Sequence, residues 1–125
     1  PMFRLADAYL LFAEATLRAG GDAGAALAAV NTVRERAYGG QSGNIGSGDL
    51  KLDFILDERA RELLWEGHRR TDLVRYGKFS ESSYLWPWKG GVAEGASVDA
   101  CRDIYPIPSQ DLNANRNLEQ NSDCY

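Results

Sequence analysis

Apolar residues recur three or four positions apart from the start of the chain. In residues 4–19, "RLADAYLLFAEATLRA", Leu5, Tyr9, Phe12 and Ala13 keep that spacing while Arg4, Asp7, Glu14 and Arg18 occupy other sectors. This pattern predicts an amphipathic helix. Gly20-Gly21 predicts its end, because glycine accepts the left-handed backbone that closes a helix. Asp22 is placed to cap a second helix over 23–37, "AGAALAAVNTVRERA". The small side chains of Ala25, Ala26 and Ala29 on that helix permit close approach of a neighbour.

The next stretch, 38–52, contains "YGGQSGNIGSGDL" and reads as a flexible Gly/Ser-rich linker. Asp53 then marks the start of a long helix over 53–77, with Gly77 as its stop. One stripe of this helix runs Leu56, Ala60, Leu63, Gly67, Thr71, Val74, mostly small or apolar, and is expected to pack on the helix pair. The adjoining stripe, Ile55, Arg59, Glu62, Glu66, Arg69, Leu73, sets charges inside an apolar frame. Trp65 is expected in the core. Over 78–125 the periodicity fails, which predicts a loop-rich tail. Within it "YPIP" is held extended by its prolines, Ser109 caps a short turn, and Asn113, Asn115 and Asn117 are expected as turn formers. The fold class is therefore all-α, in one domain spanning 1–125.

The helix pair from Arg4 to Ala37 is 34 residues long, the length of one tetratricopeptide unit. A single such unit cannot bury its own faces, so further repeats before residue 1 are expected. The opening residues show no basic region, apolar run and cleavage site in succession. The chain is accordingly expected to be a fragment, with any export signal outside it.

Charge narrows the function. A net charge of −4 and a pI near 4.9 speak against nucleic acid as the partner, since phosphate binding needs excess Lys and Arg. No apolar run approaches the roughly 20 residues that span a bilayer. From Asp53 to Lys78 six acids meet six bases, a balance that suits mutual pairing better than attraction of a charged ligand. Glu58, Arg59, Glu62, Glu66, Arg69 and Asp72 are thus expected to form a structural ion network. The competing catalytic reading takes Glu62 and Glu66, one turn apart, as acid and base, but Arg59, Arg69 and Arg70 are equally close and hold carboxylates ionised. His68, the only histidine, has no nucleophile or second His beside it in sequence. No enzyme activity, metal or cofactor is expected.

Two features remain. Cys101 and Cys124 either form a disulfide, stabilising by roughly 3 kcal/mol in the chain-entropy model and implying an oxidising compartment, or are two free thiols. "SSYLWPWKGG" places Tyr84, Trp86 and Trp88 within five residues, with Lys89 following and Asp99 nearby. Aromatic faces accept the apolar C–H face of a sugar ring, and Trp86 and Trp88 share a face if the segment is extended. Tyr84, Trp86, Trp88 and Lys89 are the ligand-binding candidates. The alternative is a loop fastened to the body by two buried tryptophans.

With these residues in view, the chain resembles the C-terminal part of the RagB/SusD family of outer-membrane lipoproteins of Bacteroidetes. Three ordered motifs carry the resemblance: "RLADAYLLFAEATLRAG…NTVRERA", "ILDERARELLWEGHRRTDLVRYGKF" and "YPIPSQDLNANRNLEQN". The second holds Glu58-Arg59-x-x-Glu62-Leu63, Glu66-Gly67-x-Arg69 and Asp72-Leu73-x-Arg75-x-Gly77. Thr71 departs from the family's frequent aromatic, and "QNSDCY" departs from its Pro-Gly tail. The resemblance implies non-catalytic capture of an oligosaccharide or, in some members, a peptide. It also implies a lipid anchor outside this chain, placement on the outer leaflet of the outer membrane, and a SusC-like TonB-dependent transporter as partner. A tetratricopeptide-type protein-interaction module is the alternative; a glycoside hydrolase is disfavoured by the arginines around both candidate carboxylates.

Overall fold

A computed structural model describes residues 3–121 and 124–125. Among these the regular structure is entirely helical: α1 (Leu5–Arg18), α2 (Ala23–Tyr38), α3 (Leu52–Glu62), α4 (Arg69–Arg75) and α5 (Ser109–Ala114), with short 3₁₀ turns at Gln41–Gly43, Lys89–Gly91 and Ala100–Asp103. The chain divides into two compact units, one ending at Arg69 and the other starting at Arg70. No helix among the described residues is long and apolar enough to cross a membrane.

In the first unit, α1 stops where expected. Gly20 takes φ 66, and the Gly21 and Gly20 amides donate to the carbonyls of Thr16 (2.9 Å) and Leu17 (3.2 Å), the paired closure that a left-handed residue allows. The Asp22 carboxylate accepts from the amides of Gly24 and Ala25 at 2.8 and 3.2 Å, satisfying two of the orphan donors at the start of α2. Leu10, Ala13, Ala26, Ala29, Val30, Val33 and Ile55 form the core, with Ala6, Leu17, Ile45, Leu50 and Phe54 packed around it. Ala26 and Ala29 are buried, as their size suggested. The face of α1 that packs is the one carrying Leu10 and Ala13. Leu5 and Phe12, expected inside, are 70% and 50% exposed, because α1 is apolar on two sides and only one meets α2 and α3.

Two expectations are corrected here. The stretch after α2 is fastened rather than free. The Asn31 amide exchanges hydrogen bonds with the Ile45 backbone at 2.9 and 3.1 Å, Asn44 donates to Glu35 at 2.6 Å, and the Arg34 guanidinium donates to the Gly43 carbonyl. Gly43 lies so close against the Tyr38 ring that no side chain would fit. The long helix over 53–77 is two helices. α3 starts after Lys51, with Asp53 in its first turn rather than at its cap, and ends at Glu62. Trp65 and Gly67 follow in left-handed conformations, φ 69 and 80. Gly67 therefore makes a turn and not a helix contact, and Trp65 is 95% exposed rather than core. Leu56 and Leu63 are buried as read; Thr71, farther along the same stripe, is exposed.

In the second unit, α4 closes on Gly77, φ 66, where the Gly77 and Lys78 amides reach the carbonyls of Val74 and Leu73 at 2.9 and 2.8 Å. Beyond it the backbone is irregular, as expected. The Gln120 side-chain amide exchanges hydrogen bonds with the Ile107 backbone at 2.8 and 3.1 Å, and Asn121 donates to the Tyr105 carbonyl at 2.7 Å. The tail amides thus pair with the "YPIP" segment, whose prolines cannot donate. The Asn115 carboxamide oxygen accepts from the Asn117 amide at 3.1 Å, the turn role expected of it. Ser109 opens α5 without a side-chain cap bond.

Candidate functional site

The charged residues of α3 do pair, though mostly not with each other. Glu58 accepts from Arg34 at 2.6 Å and from Arg61 at 2.7 Å. Arg59, 2% exposed, meets Asp7 at 2.7 Å. Glu62 holds Arg4 at 3.0 Å and Arg36 at 2.5 Å, and Glu66 holds Arg4 at 2.8 Å. Hydrogen bonding to Glu66 first, and then to Glu62, pushes the Arg4 guanidinium further above the ordinary arginine range, against a smaller opposing effect of burial. Arg69 donates to the Leu56 carbonyl at 3.0 Å. In the second unit Asp72 pairs with Arg75 at 2.7 Å. The expected network exists with different partners. Arg4, Asp7, Arg34 and Arg36, on α1, α2 and the residue before α1, went unassigned because they lie 24 or more positions away in sequence.

This arrangement is poorly suited to acid–base chemistry. A working pair of carboxyls needs environments that push their proton affinities apart. Glu62 and Glu66 instead share one guanidinium, and the Glu62 side chain is nearly buried by its partners.

The aromatic loop is built around a lysine. Lys89 is 3% exposed, and its ammonium donates to the carbonyls of Glu81 (2.5 Å) and Tyr84 (2.7 Å), with a longer contact to Lys78 (3.5 Å). It also lies 4.7 Å from the Trp86 ring centre. An ammonium has three donors, and all three are directed into the protein, which removes Lys89 from the ligand candidates. Trp86 is half-buried against Phe79 and Tyr84, with ring centres 6.5 and 6.2 Å apart. Trp88 is 70% exposed. The segment is not extended. Trp88 has φ 69, and turns close through Lys89 N–H to the Trp86 carbonyl (3.0 Å) and Gly91 N–H to the Trp88 carbonyl (3.1 Å). The two tryptophans therefore have different environments, one packed and one presented. Any side chain at Gly95 would collide with the Trp86 carbonyl oxygen.

Nearby, Arg70 lies 4.8 Å from the Phe79 ring centre and 3.8 Å from that of Tyr105, and donates to the Arg102 carbonyl at 2.5 Å. Cys101 and Cys124 are joined in a disulfide. Asp99, whose carboxylate caps the Cys101 amide at 2.9 Å, stands by both sulfurs. With the sulfurs bonded to each other, no thiolate pair is available there for a metal.

A model described as the SusD family matches residues 1–125. The starch-binding protein SusD of Bacteroides thetaiotaomicron is 46% identical over 121 residues, which are 97% of this chain and 21% of that protein. SusD-like protein P38 of Formosa agariphila is 40% identical over 128 residues, covering 96% of this chain and 24% of that protein. Among solved structures, surface glycan-binding protein A from Bacteroides thetaiotaomicron, in complex with laminarihexaose, matches with a TM-score of 0.73 at 33% identity. The match covers 96% of this chain and 24% of that one. The chain spans between a fifth and a quarter of the length of these relatives.

Proposed function

This chain belongs to the SusD family, and from that premise we propose that the protein it forms part of binds oligosaccharides at the cell surface without cleaving them. It delivers them to a SusC-like TonB-dependent transporter in the outer membrane, to which a lipid anchor holds it. The observation that carries this reading is the family match along the whole chain, together with relatives named for starch and glycan binding. The geometry supports the non-catalytic part. The candidate carboxylates of α3 are taken up by arginines of α1, α2 and the residue before α1, so the charges hold helices together.

Isothermal titration of the full-length protein with maltohexaose and laminarihexaose tests the reading, with product analysis of the same mixtures. Saturable binding with no shortened sugar is expected. Hydrolysis, or no binding to any soluble oligosaccharide in a wider panel, overturns it. Isolation of the protein from membranes together with a β-barrel transporter is the expected outcome for the delivery step.

A further inference from the structure

Among the described residues, the non-glycine positions with positive φ are Trp65 and Trp88. Residues with large side chains avoid that region, and strain of this kind persists where the surroundings over-determine it, which makes it a pointer to function. Around Trp88 the surroundings are specific. The next residue is the buried Lys89, whose ammonium ties the carbonyls of Glu81 and Tyr84 to the base of the loop. The Ala96 amide returns to the Lys89 carbonyl at 2.9 Å. Gly90, Gly91 and Gly95 take φ 66, 82 and 82, and Gly95 admits no side chain beneath Trp86. Tyr84 and Trp86 pack edge to face inside this frame. All of this holds in place one large ring that is left largely in solvent.

We propose that Trp88 is a single stacking platform for the apolar face of a pyranose ring in a neutral oligosaccharide, with Lys89, Trp86 and Tyr84 as positioning residues that do not touch the sugar. The proposal rests on the oligosaccharide reading above. Charge supports a neutral ligand. Lys89 is the sole cation between Glu81 and Ala96, and its charge is turned inward, while Glu81 and Glu94 are exposed. The segment therefore offers nothing attractive to an anion. An indole fixed by its backbone loses little freedom on stacking, and pre-positioning of this kind raises affinity by lowering the ordering cost.

The test uses the full-length protein, titrated calorimetrically with laminarihexaose and with maltohexaose, in wild-type, Trp88→Gly and Trp88→Phe forms, each with a melting curve. Glycine suits the left-handed backbone, so Trp88→Gly is expected to keep the melting temperature. It should lose about tenfold in affinity, or one site in the stoichiometry, for at least one sugar. Trp88→Phe, which keeps a flat ring, should stay within about threefold of wild type. Wild-type affinity and stoichiometry in Trp88→Gly overturn the platform while leaving the oligosaccharide reading intact. A melting temperature lowered by several degrees in Trp88→Gly also overturns it, because Trp88 then holds the loop rather than being held by it. Failure of the wild type to bind either sugar removes the oligosaccharide reading for these ligands, and the platform with it.

Discussion

At φ 69, Trp65 and Trp88 each bear a backbone conformation that is unfavourable by roughly 1–2 kcal/mol for an L-residue. For Trp88 the offset is visible in Lys89. Its three hydrogen bonds to carbonyls lie in a nearly dry setting, where a charged donor contributes more than in water. Replacing it by methionine keeps the stem and removes the ammonium, leaving carbonyls without their donor. Lys89→Met is expected to destabilise the second unit by about 2 kcal/mol. Amide hydrogen exchange should quicken over residues 78–96 while residues 5–62 keep their protection. Unchanged exchange in the loop would show that the lysine is not its brace. The sequence showed a lysine after two tryptophans, and a surface cation is the ordinary reading of that residue. Its inward direction depends on turns made by Gly90 and Gly91, which no periodicity reports.

Between elements, the pairs that matter cross from one helix to another. Arg59 on α3 meets Asp7 on α1 with little solvent around either group. Removing one partner of such a pair strands a charge, whereas removing both can be nearly neutral. Arg59→Met is expected to destabilise by about 3–5 kcal/mol, and adding Asp7→Leu should recover more than half of that loss in denaturant melts. Additive losses in the cycle would mean that the two groups act independently. The helix starts and stops were largely legible, since Asp22, Gly20 and Gly77 act through bonds within five residues of themselves. The end of α3 was not. Its Glu62 carbonyl is capped by the Arg4 guanidinium at 2.6 Å, 58 positions earlier, while apolar spacing runs on past Leu63 as though the helix continued. The same distance hid the ion partners. Of the pairs to α3 carboxylates, only Arg61 with Glu58 falls within one helical turn. For the aromatic loop, composition located the candidate, but which rings were packed and which presented was decided by backbone angles.

Across the whole molecule, the two units are consolidated by different means. The first has an aliphatic core with helices clamped by ion pairs. The second relies on side-chain amides bonded to backbone, on Arg70 beside two rings, and on a disulfide. A unit of that kind draws part of its stability from closing a chain loop, about 3 kcal/mol in the entropic account. The Cys101–Cys124 bond also has a topological consequence. Residues 102–123 form a covalent ring, so a single backbone cut inside it cannot release a fragment. Arg116 is exposed within the ring. Limited trypsin treatment is expected to nick there, adding the mass of one water to an otherwise intact molecule. The nine residues after the cut should separate only after a reductant is added. Their release without reductant would show that the ring is open in solution. A protease at the cell surface could then sever this tail without detaching it.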